Sequence, residues 1–166
     1  MKVFFDTEFI EDGKTIDLIS IGIVCESRLV LSYYAEFAEC DLNRASPWVQ
    51  NNVIPHLTRK TTPRAKIAES IAAIVGNKPE FWAYYADYDW VALCQLYGTM
   101  MDLPKGWPKY CRDVKQLCDS MGNPRLPAQD STEHNALNDA RWTRDAYLWL
   151  MKQEPQPAAK ENDHAE

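Results

Sequence analysis

Three apolar segments open the chain, and short polar breaks separate them. They cover residues 2–9, 16–26 and 28–37, and they are rich in β-branched and aromatic side chains. Segments of this length and composition are typical of β-strands, and breaks of a few residues favour pairing between consecutive strands. The chain is therefore predicted to begin with a three-stranded antiparallel meander.

Helices and strands alternate after the meander. Ser46 and Pro47 have the form of an N-cap followed by proline at the first helical position, and the helix they begin reaches about residue 57 with an interruption at Pro55. A second helix runs from Pro63 to Gly76. The other predicted elements are a strand at 80–86, a helix at 87–97, a short strand at 110–112, and helices at about 114–121 and 135–152. This order predicts an α/β fold whose mixed five-stranded sheet combines the antiparallel meander with two parallel strands and is flanked by helices.

The composition is that of one globular domain. With 46% apolar and 25% charged residues, the chain resembles neither a disordered protein nor a membrane protein. Its apolar runs are far shorter than the ~20 residues that a membrane-spanning helix requires, so we expect a cytoplasmic protein without a membrane partner. Residues 1–152 are predicted to form the domain, and residues 153–166, rich in proline, alanine and charge, to form a disordered tail.

The five cysteines are scattered along the chain, and no two of them form a CxxC pair. An odd number without that spacing argues against a disulfide framework and against a zinc site. We therefore expect reduced thiols.

The formal net charge of −6 counts at first against a nucleic-acid partner, because binding to phosphates usually draws on surplus lysine and arginine. Half of that charge, −3, lies in residues 153–166, which leaves −3 for the rest of the chain. Acidic residues that bind metal ions also look more acidic in a formal count than they are once the ions are bound. The charge therefore does not decide between partners.

The first strand carries two acidic residues at alternating positions. Side chains two apart on a strand project to the same face, so Asp6 and Glu8 leave this apolar segment together, while Thr7 and Phe9 lie on the other face. Two such charges ~4 Å apart repel by about 4 kcal/mol at an effective dielectric of about 20. The pair requires a cation, a shared proton or water, unless the strand has simply reached its solvent-exposed end.

The last predicted helix places an acid on its apolar face. At 100° per residue, Asp139 falls within the stripe that the helix would bury. His134 lies five residues earlier, about 140° away on an uninterrupted helix, so both can face one site only if His134 precedes the helix or lies in its first turn. The alternative is a histidine that flanks a helix and an aspartate paired with Arg141 or Arg144.

A third acidic feature lies where the strand at 80–86 meets the next helix. Asp87 is well placed to cap that helix, which is a structural role. Asp89, in the first turn, could instead reach the end of the first strand. The spacing alone does not choose between these two residues as a functional carboxylate.

Together these motifs resemble a known family. Asp-x-Glu on the first strand, Asp89 followed four residues later by Leu93, and His-x4-Asp near the C-terminus are similar to the motifs of DEDDh exonucleases. Segments 5–13, 88–98 and 134–141 resemble more closely the small bacterial and phage 3′-5′ exoribonucleases first recognised in mycobacteria. The resemblance extends over residues 2–150. Where the wider family often has Thr-Gly and Asn, this chain has Phe9-Ile10 and Tyr85, and both departures fit the smaller family, in which Asp89 is the aligned ligand.

The resemblance implies a ribonuclease H-like fold, with which the predicted order of elements is compatible. It also implies hydrolysis of RNA, or less favourably DNA, from the 3′ end of a single strand or overhang, with release of nucleoside 5′-monophosphates. Many relatives are dimers, so a homodimer is expected. RNA as the substrate rests on the resemblance alone.

Our hypothesis for the chemistry follows from these residues. The carboxylates of Asp6, Glu8, Asp89 and Asp139 bind two divalent cations, which should be Mg²⁺ or Mn²⁺ rather than zinc because every ligand is a carboxylate oxygen. His134 acts as general base on the attacking water, a task that suits a side chain of the type that titrates near neutrality.

Substrate contacts are predicted in two groups. Arg59, Lys60 and Arg64 belong to a basic run that could follow phosphates, although such a run is often only a solvated loop and helix start. The apolar and aromatic residues beside the expected ligands could stack on bases or equally well pack in the core; they are Phe9, Ile10, Tyr88 and Trp90.

Two other functions remain open at this stage. The same fold could belong to an endonuclease, or the protein could be a nucleic-acid-binding module without activity. Four carboxylates and a histidine argue against the second function, because a binding module has no need to tolerate their mutual repulsion.

Overall fold

The computed structural model describes residues 1–26, 31–129 and 133–153. In these residues six strands form one mixed sheet in the order β4-β3-β2-β1-β5-β6. The strands are β1 (Lys2–Glu11), β2 (Ile16–Glu26), β3 (Leu31–Phe37), β4 (Thr61–Thr62), β5 (Glu80–Ala83) and β6 (Arg112–Asp113). The pairs β1–β2 and β2–β3 are antiparallel, whereas β5 pairs parallel to β1 and β6 parallel to β5. The meander and the two parallel strands are confirmed.

The sheet has one strand more than predicted. Strand β4 is only two residues long and pairs parallel with Glu36 and Phe37 at the end of β3. Two residues cannot show the alternation that identifies a strand in a sequence. This edge strand is recognised only by its hydrogen-bonded pairing with β3 in the folded chain. The start of the predicted third strand, residues 28–30, lies outside the described residues.

The predicted helices are present with small shifts at their ends. They are α1 (Pro47–Asn52), α2 (Arg64–Val75), α3 (Asp87–Tyr97), α4 (Val114–Ser120) and α5 (Ala136–Leu150). The Ser46 side chain accepts a hydrogen bond from the backbone of Val49 (3.3 Å) and begins α1. The predicted interruption before Pro55 is also present, because α1 ends at Asn52 and a 3₁₀ turn, Ile54–His56, follows.

Helices cover both faces of the sheet, so its central strand is buried on both sides. Val3 and Phe5 pack with Ile67 of α2 and Leu93 of α3. Phe4, between them in the chain, belongs to the opposite cluster, which includes residues of α4 and α5. Burial on both faces explains why β1 is almost uninterruptedly apolar until Asp6.

The predicted domain boundary lies next to the end of α5. The backbone amide of Gln153 still donates to the Leu150 carbonyl (2.9 Å), and residues 154–166 lie outside the described residues. Over the described ranges, no helix combines the length and the apolar character that crossing a membrane requires.

A glycine sets the distance between α5 and the sheet. Gly22 of β2 lies directly opposite Asp6 of β1. A Cβ atom at Gly22 would overlap the backbone of Ala136 and Leu137. The first turn of α5 can therefore lie against the sheet beside Asp6 only because residue 22 has no side chain.

We predict that Gly22→Ala lowers the free energy of unfolding by about 1–3 kcal/mol, the range found for overpacked positions. Urea denaturation of the purified protein measures this. Gly13→Ala is the matched control, since its new Cβ would meet no atom within 4 Å and it reports only the effect of a positive φ of 81°. A Gly22→Ala protein as stable as the wild type would show that α5 does not approach β2 this closely.

Candidate active site

Strand β1 carries Asp6 and Glu8 into one cavity. Glu8 is only 8% exposed and Asp6 is partly buried, so the strand does not end in solvent at this point. The pairing of β1 with β2 shifts by one residue between Glu8 and Phe9, which marks a β-bulge at the site. The interpretation of this pair as a solvent-exposed strand end is therefore wrong.

Asp89 is bound to the same strand. Its Oδ1 atom accepts hydrogen bonds from the Thr7 backbone amide (2.8 Å) and from the Thr7 hydroxyl (2.6 Å). Thr7 lies between Asp6 and Glu8, and Asp89 is 6% exposed. The first turn of α3 thus holds Asp89 beside the β1 pair.

Asp87 does not cap α3, contrary to the structural role predicted for it. The cap position is Ala86, whose side chain makes no capping hydrogen bond. A residue from β6 supplies the acceptor instead: the Asp113 carboxylate accepts from the amides of Tyr85 (3.3 Å) and Ala86 (3.0 Å). It also accepts from the Lys115 amide (2.6 Å) at the start of α4. One half-buried carboxylate therefore fixes the entry into two helices.

His134 lies just before α5, where the sequence requires it to be if it is to share a site with Asp139. Asn135 caps the helix through a bond from the Asn138 amide (3.2 Å). His134 has a φ of 66°, and its backbone amide donates to Asp139 Oδ2 (2.9 Å). The Gln129 side-chain amide donates to Oδ1 of the same carboxylate.

The alternative pairing of Asp139 with an arginine is not seen. Arg144 forms its ion pair with Asp145 (2.7 Å), and Arg141 donates to the Asn138 side chain (3.2 Å). Instead, Asp139 and His134 lie together with the carboxylate pair of β1. Ligand atoms of Glu8, His134 and Asp139 all lie within 4.8 Å of one another.

All five predicted residues border one cavity of about 530 Å³. Its lining residues are Asp6, Thr7, Glu8, Phe9, Trp48, Val53, Tyr84, Tyr85, Asp87, Tyr88, Asp89, His134 and Asp139. Neither lysine nor arginine is among the described residues of this lining. The acidic groups of the cavity therefore have neither lysine nor arginine in the described lining to balance their charge.

Burial raises the pKa of each of the four carboxyl groups predicted as metal ligands. The pKa of Glu8 is raised to about 8 by burial and by repulsion from Asp139 and Asp89. Burial and the three neighbouring carboxylates raise the pKa of Asp6 well above its ordinary value.

The pKa values of Asp89 and Asp139 are also raised. Burial raises the pKa of Asp89 to about 7, and the hydrogen bonds from Thr7 oppose that rise. Burial raises the pKa of Asp139 to about 6 against the bonds from His134 and Gln129. A cation bound among these groups would lower all four pKa values together.

The donor set fits hard divalent cations. The four carboxylates offer oxygen atoms only, and the described lining of their cavity contains neither lysine nor arginine. Oxygen-rich sites of this kind suit Mg²⁺ or Mn²⁺ better than softer metals.

Two of the four predicted stacking residues lie at the cavity. The rings of Phe9 and Tyr88 line it and meet edge to face at 5.7 Å. The other two side chains do not line the cavity and pack elsewhere, which is the core alternative that the sequence left open for them. Ile10 is 2% exposed in a small cluster with α1, and the Trp90 ring packs against Phe81 in the main core (5.4 Å).

The predicted basic residues do not line the cavity. The Arg64 guanidinium donates to the Gln95 carbonyl (2.6 Å) and lies over the Phe37 ring, so its interactions are within the fold. Arg59 and Lys60 are exposed in the segment before β4. A contact between these two residues and a distant part of a bound strand stays a prediction.

The sequence did not identify several residues that line the cavity. The Trp48 ring meets the His134 ring edge to face at 4.9 Å, and Tyr84 and Tyr85 line the wall after β5. The one signal for Trp48 is its position in the sequence, directly after the helix start at Ser46 and Pro47. Gln129 carries no local signal, since its role depends on a loop that meets α5 only in the folded chain.

Solved structures of nucleases share this fold. The chain superimposes on Escherichia coli exonuclease I in complex with a dT13 oligonucleotide with a TM-score of 0.63 and 12% identity, over 94% of this chain and 41% of that one. It matches the RNase domain of the yeast Pop2 protein with a TM-score of 0.59 and 11% identity, over 91% of this chain and 76% of that one. This chain thus spans about two fifths of exonuclease I. These likenesses confirm the ribonuclease H-like exonuclease fold.

Sequence comparison identifies a much nearer group. Residues 1–151 match the family model described as the 3′-5′ exoribonuclease Rv2179c-like domain. The chain is 42% identical over 149 residues to the 3′-5′ exoribonuclease Rv2179c of Mycobacterium tuberculosis, which covers 85% of this chain and 88% of that protein. The family predicted from the three motifs is confirmed: this chain belongs to the Rv2179c-like 3′-5′ exoribonuclease domain family.

Proposed function

We propose that this protein is a metal-dependent 3′-5′ exoribonuclease that hydrolyses the terminal phosphodiester bond of RNA and releases nucleoside 5′-monophosphates. The observation that carries the proposal is the convergence of four carboxyl groups and a histidine on a cavity without lysine or arginine in its described lining. The Mycobacterium tuberculosis relative is a 3′-5′ exoribonuclease, which supports the same reaction.

Asp6, Glu8, Asp89 and Asp139 would hold two divalent cations. When bound, the cations supply positive charge that lowers the pKa of the attacking water and stabilises the departing 3′ oxygen. The protein's contribution is to keep the ligands in place before binding. Thr7 orients Asp89 with two hydrogen bonds, while Gln129 and the His134 amide orient Asp139.

His134 is proposed to accept the proton of the attacking water through its imidazole. Its backbone is bound to one of the proposed ligands, and the Trp48 ring lies against its side chain. The histidine is thus held at the cavity from two directions. A positioned base of this kind commonly contributes 10²–10⁴-fold to a rate.

The proposed substrate is a single strand of RNA or a 3′ overhang. The name of the relative favours RNA, whereas the structural likeness to exonuclease I extends only to the fold. DNA is the weaker candidate, and a homodimer stays a prediction.

We expect linear single-stranded RNA, labelled at its 5′ end, to shorten one nucleotide at a time from the 3′ end with Mg²⁺ or Mn²⁺ and to remain intact with a chelator. Chromatography of the products should show 5′-monophosphates. A matched DNA strand measures the sugar preference. Asp89→Asn should abolish the reaction, while Asp119→Asn, an exposed carboxylate paired with Lys115, should not.

A circular RNA of the same sequence separates the alternatives. Cleavage of the circle would identify an endonuclease. Binding of RNA without hydrolysis under every metal condition would identify a non-catalytic binding module.

The raised carboxyl pKa values predict an unusual dependence of stability on pH in the absence of metal. The folded protein binds these protons more tightly than the unfolded chain, so ionisation destabilises the fold. For Glu8 the loss begins above its ordinary pKa of about 4.5 and is complete above about 8, and the raised pKa of Asp6 adds to the loss in the same direction. In a chelator, the free energy of unfolding should fall by on the order of a few kcal/mol as the pH rises from 5 to 8, and Tm should fall with it. Addition of Mg²⁺ or Mn²⁺ should restore Tm at pH 8.

Two other carboxyls have pKa values that are shifted in the opposite direction. Hydrogen bonds from Thr15 and Thr99 lower the pKa of Asp12 and Asp102, so these groups titrate below this pH window. Glu8→Gln is the matched variant, because it removes one of the raised ionisations and should flatten the profile. A Tm in chelator that stays constant from pH 5 to 8 would contradict the crowding of these carboxyls.

We predict that His134→Ala keeps its Tm and loses about 100-fold or more in kcat at saturating Mn²⁺, because the general base is removed. His56→Ala, a change at an exposed histidine outside the cavity lining, is the control. Calorimetric titration with Mn²⁺ should give unchanged metal affinity. Loss of that affinity would instead assign His134 as a ligand, and unchanged kcat would remove it from the reaction.

A further inference from the structure

Tyr85 has an uncommon backbone conformation at the edge of the cavity. Its φ is 57°, in the left-handed region that favours glycine, and its side chain is 63% exposed. An aromatic residue adopts this conformation only where its surroundings impose it. Tyr85 also lines the proposed active-site cavity.

The turn that contains Tyr85 is held from outside its own segment. The Asp113 carboxylate accepts from the amides of Tyr85 and Ala86, and the same carboxylate caps α4. The strained turn is therefore anchored to a neighbouring strand and helix. Strain that is maintained in this way at the edge of a site points to a function for the side chain it displays.

The Tyr85 ring is braced without being covered. It meets the Tyr84 ring edge to face at 4.7 Å, and Tyr84 meets the Trp142 ring at 4.9 Å. The Trp142 indole in turn donates to the Pro127 carbonyl (3.1 Å). This row of contacts restricts the orientation of the Tyr85 ring and leaves most of its surface open.

We propose that Tyr85 is a base-stacking residue for the single-stranded substrate near its 3′ end. This inference rests on the proposed function. An exonuclease that proceeds along a strand has to accept every base, and stacking on an aromatic ring tolerates all of them because each base has a π face. A rigidly presented ring also binds with a smaller entropy cost than a mobile one.

The charge of the cavity supports stacking as a source of affinity. Its described lining contains four carboxylates proposed as ligands and neither lysine nor arginine to bind the strand's phosphates. Apart from the proposed cations, affinity beside the scissile bond therefore has to come from contacts that do not depend on charge, such as stacking. Among the lining residues, Tyr85 is the most exposed large apolar side chain in the described part of the chain.

The decisive variant is Tyr85→Asn, because asparagine tolerates the left-handed conformation and lacks the ring. We expect KM for single-stranded RNA, and the Kd measured by fluorescence anisotropy with Ca²⁺ in place of Mg²⁺, to rise between about 5-fold and 150-fold, the equivalent of one base–aromatic stack. The kcat value should change less than about threefold, and Tm should not fall. Tyr85→Phe should restore KM and Kd to near the wild-type values.

Tyr110→Asn is the matched control, since Tyr110 is similarly exposed at 59% but lies outside the cavity lining. Wild-type Kd and KM in Tyr85→Asn, with exonuclease activity intact, would overturn the stacking role and leave the proposed function standing. An equal loss in Tyr85→Phe would assign the effect to the hydroxyl. A fall in Tm or a change in the molar mass measured by light scattering would assign the ring to packing or to a subunit contact. Absence of hydrolysis in the wild type would overturn the proposed function itself.

Discussion

Repulsion among buried carboxyl groups is the constraint on which the rest of this site depends. Burial and mutual proximity raise the pKa of Asp6 and Glu8, and no described lysine or arginine lines the cavity to relieve them. A fold gains nothing in stability from such an arrangement, since hydrophobic residues would fill the same space at lower cost. The groups are tolerable as a set when protons or cations share their charge, which connects the electrostatics of the fold with the proposed chemistry.

A few specific contacts hold these carboxyl groups in place despite their repulsion. Gly22 lets the first turn of α5 lie against the sheet, so Asp139 reaches the strand that carries Asp6. Thr7 binds Asp89 by both its amide and its hydroxyl. Asp113 anchors the turn before α3 from a different strand. Each contact joins elements that are distant in sequence, so the position of every proposed ligand depends on the completed sheet.

Some of the site could be predicted because its signals are local. The alternation of β1 places Asp6 and Glu8 on one face, and the geometry of a helix requires His134 to precede α5; both hold in the structure. For Ile10 and Trp90 the sequence left stacking and core packing open, because an apolar residue beside a ligand looks the same in sequence whether it faces substrate or core. Asp87 was misassigned as a cap because the actual acceptor, Asp113, lies far along the chain.

The sequence by itself determined the order of strands and helices, the carboxylates and histidine available for chemistry, and the family. These follow from periodicity and from motifs whose residues are close together in the chain. Only the tertiary structure decided that these groups share one cavity, that Trp48 and Tyr85 border it, and that Arg64 does not. Side-chain surroundings are set by contacts between elements brought together when the sheet forms, and spacing along the chain carries no record of those contacts.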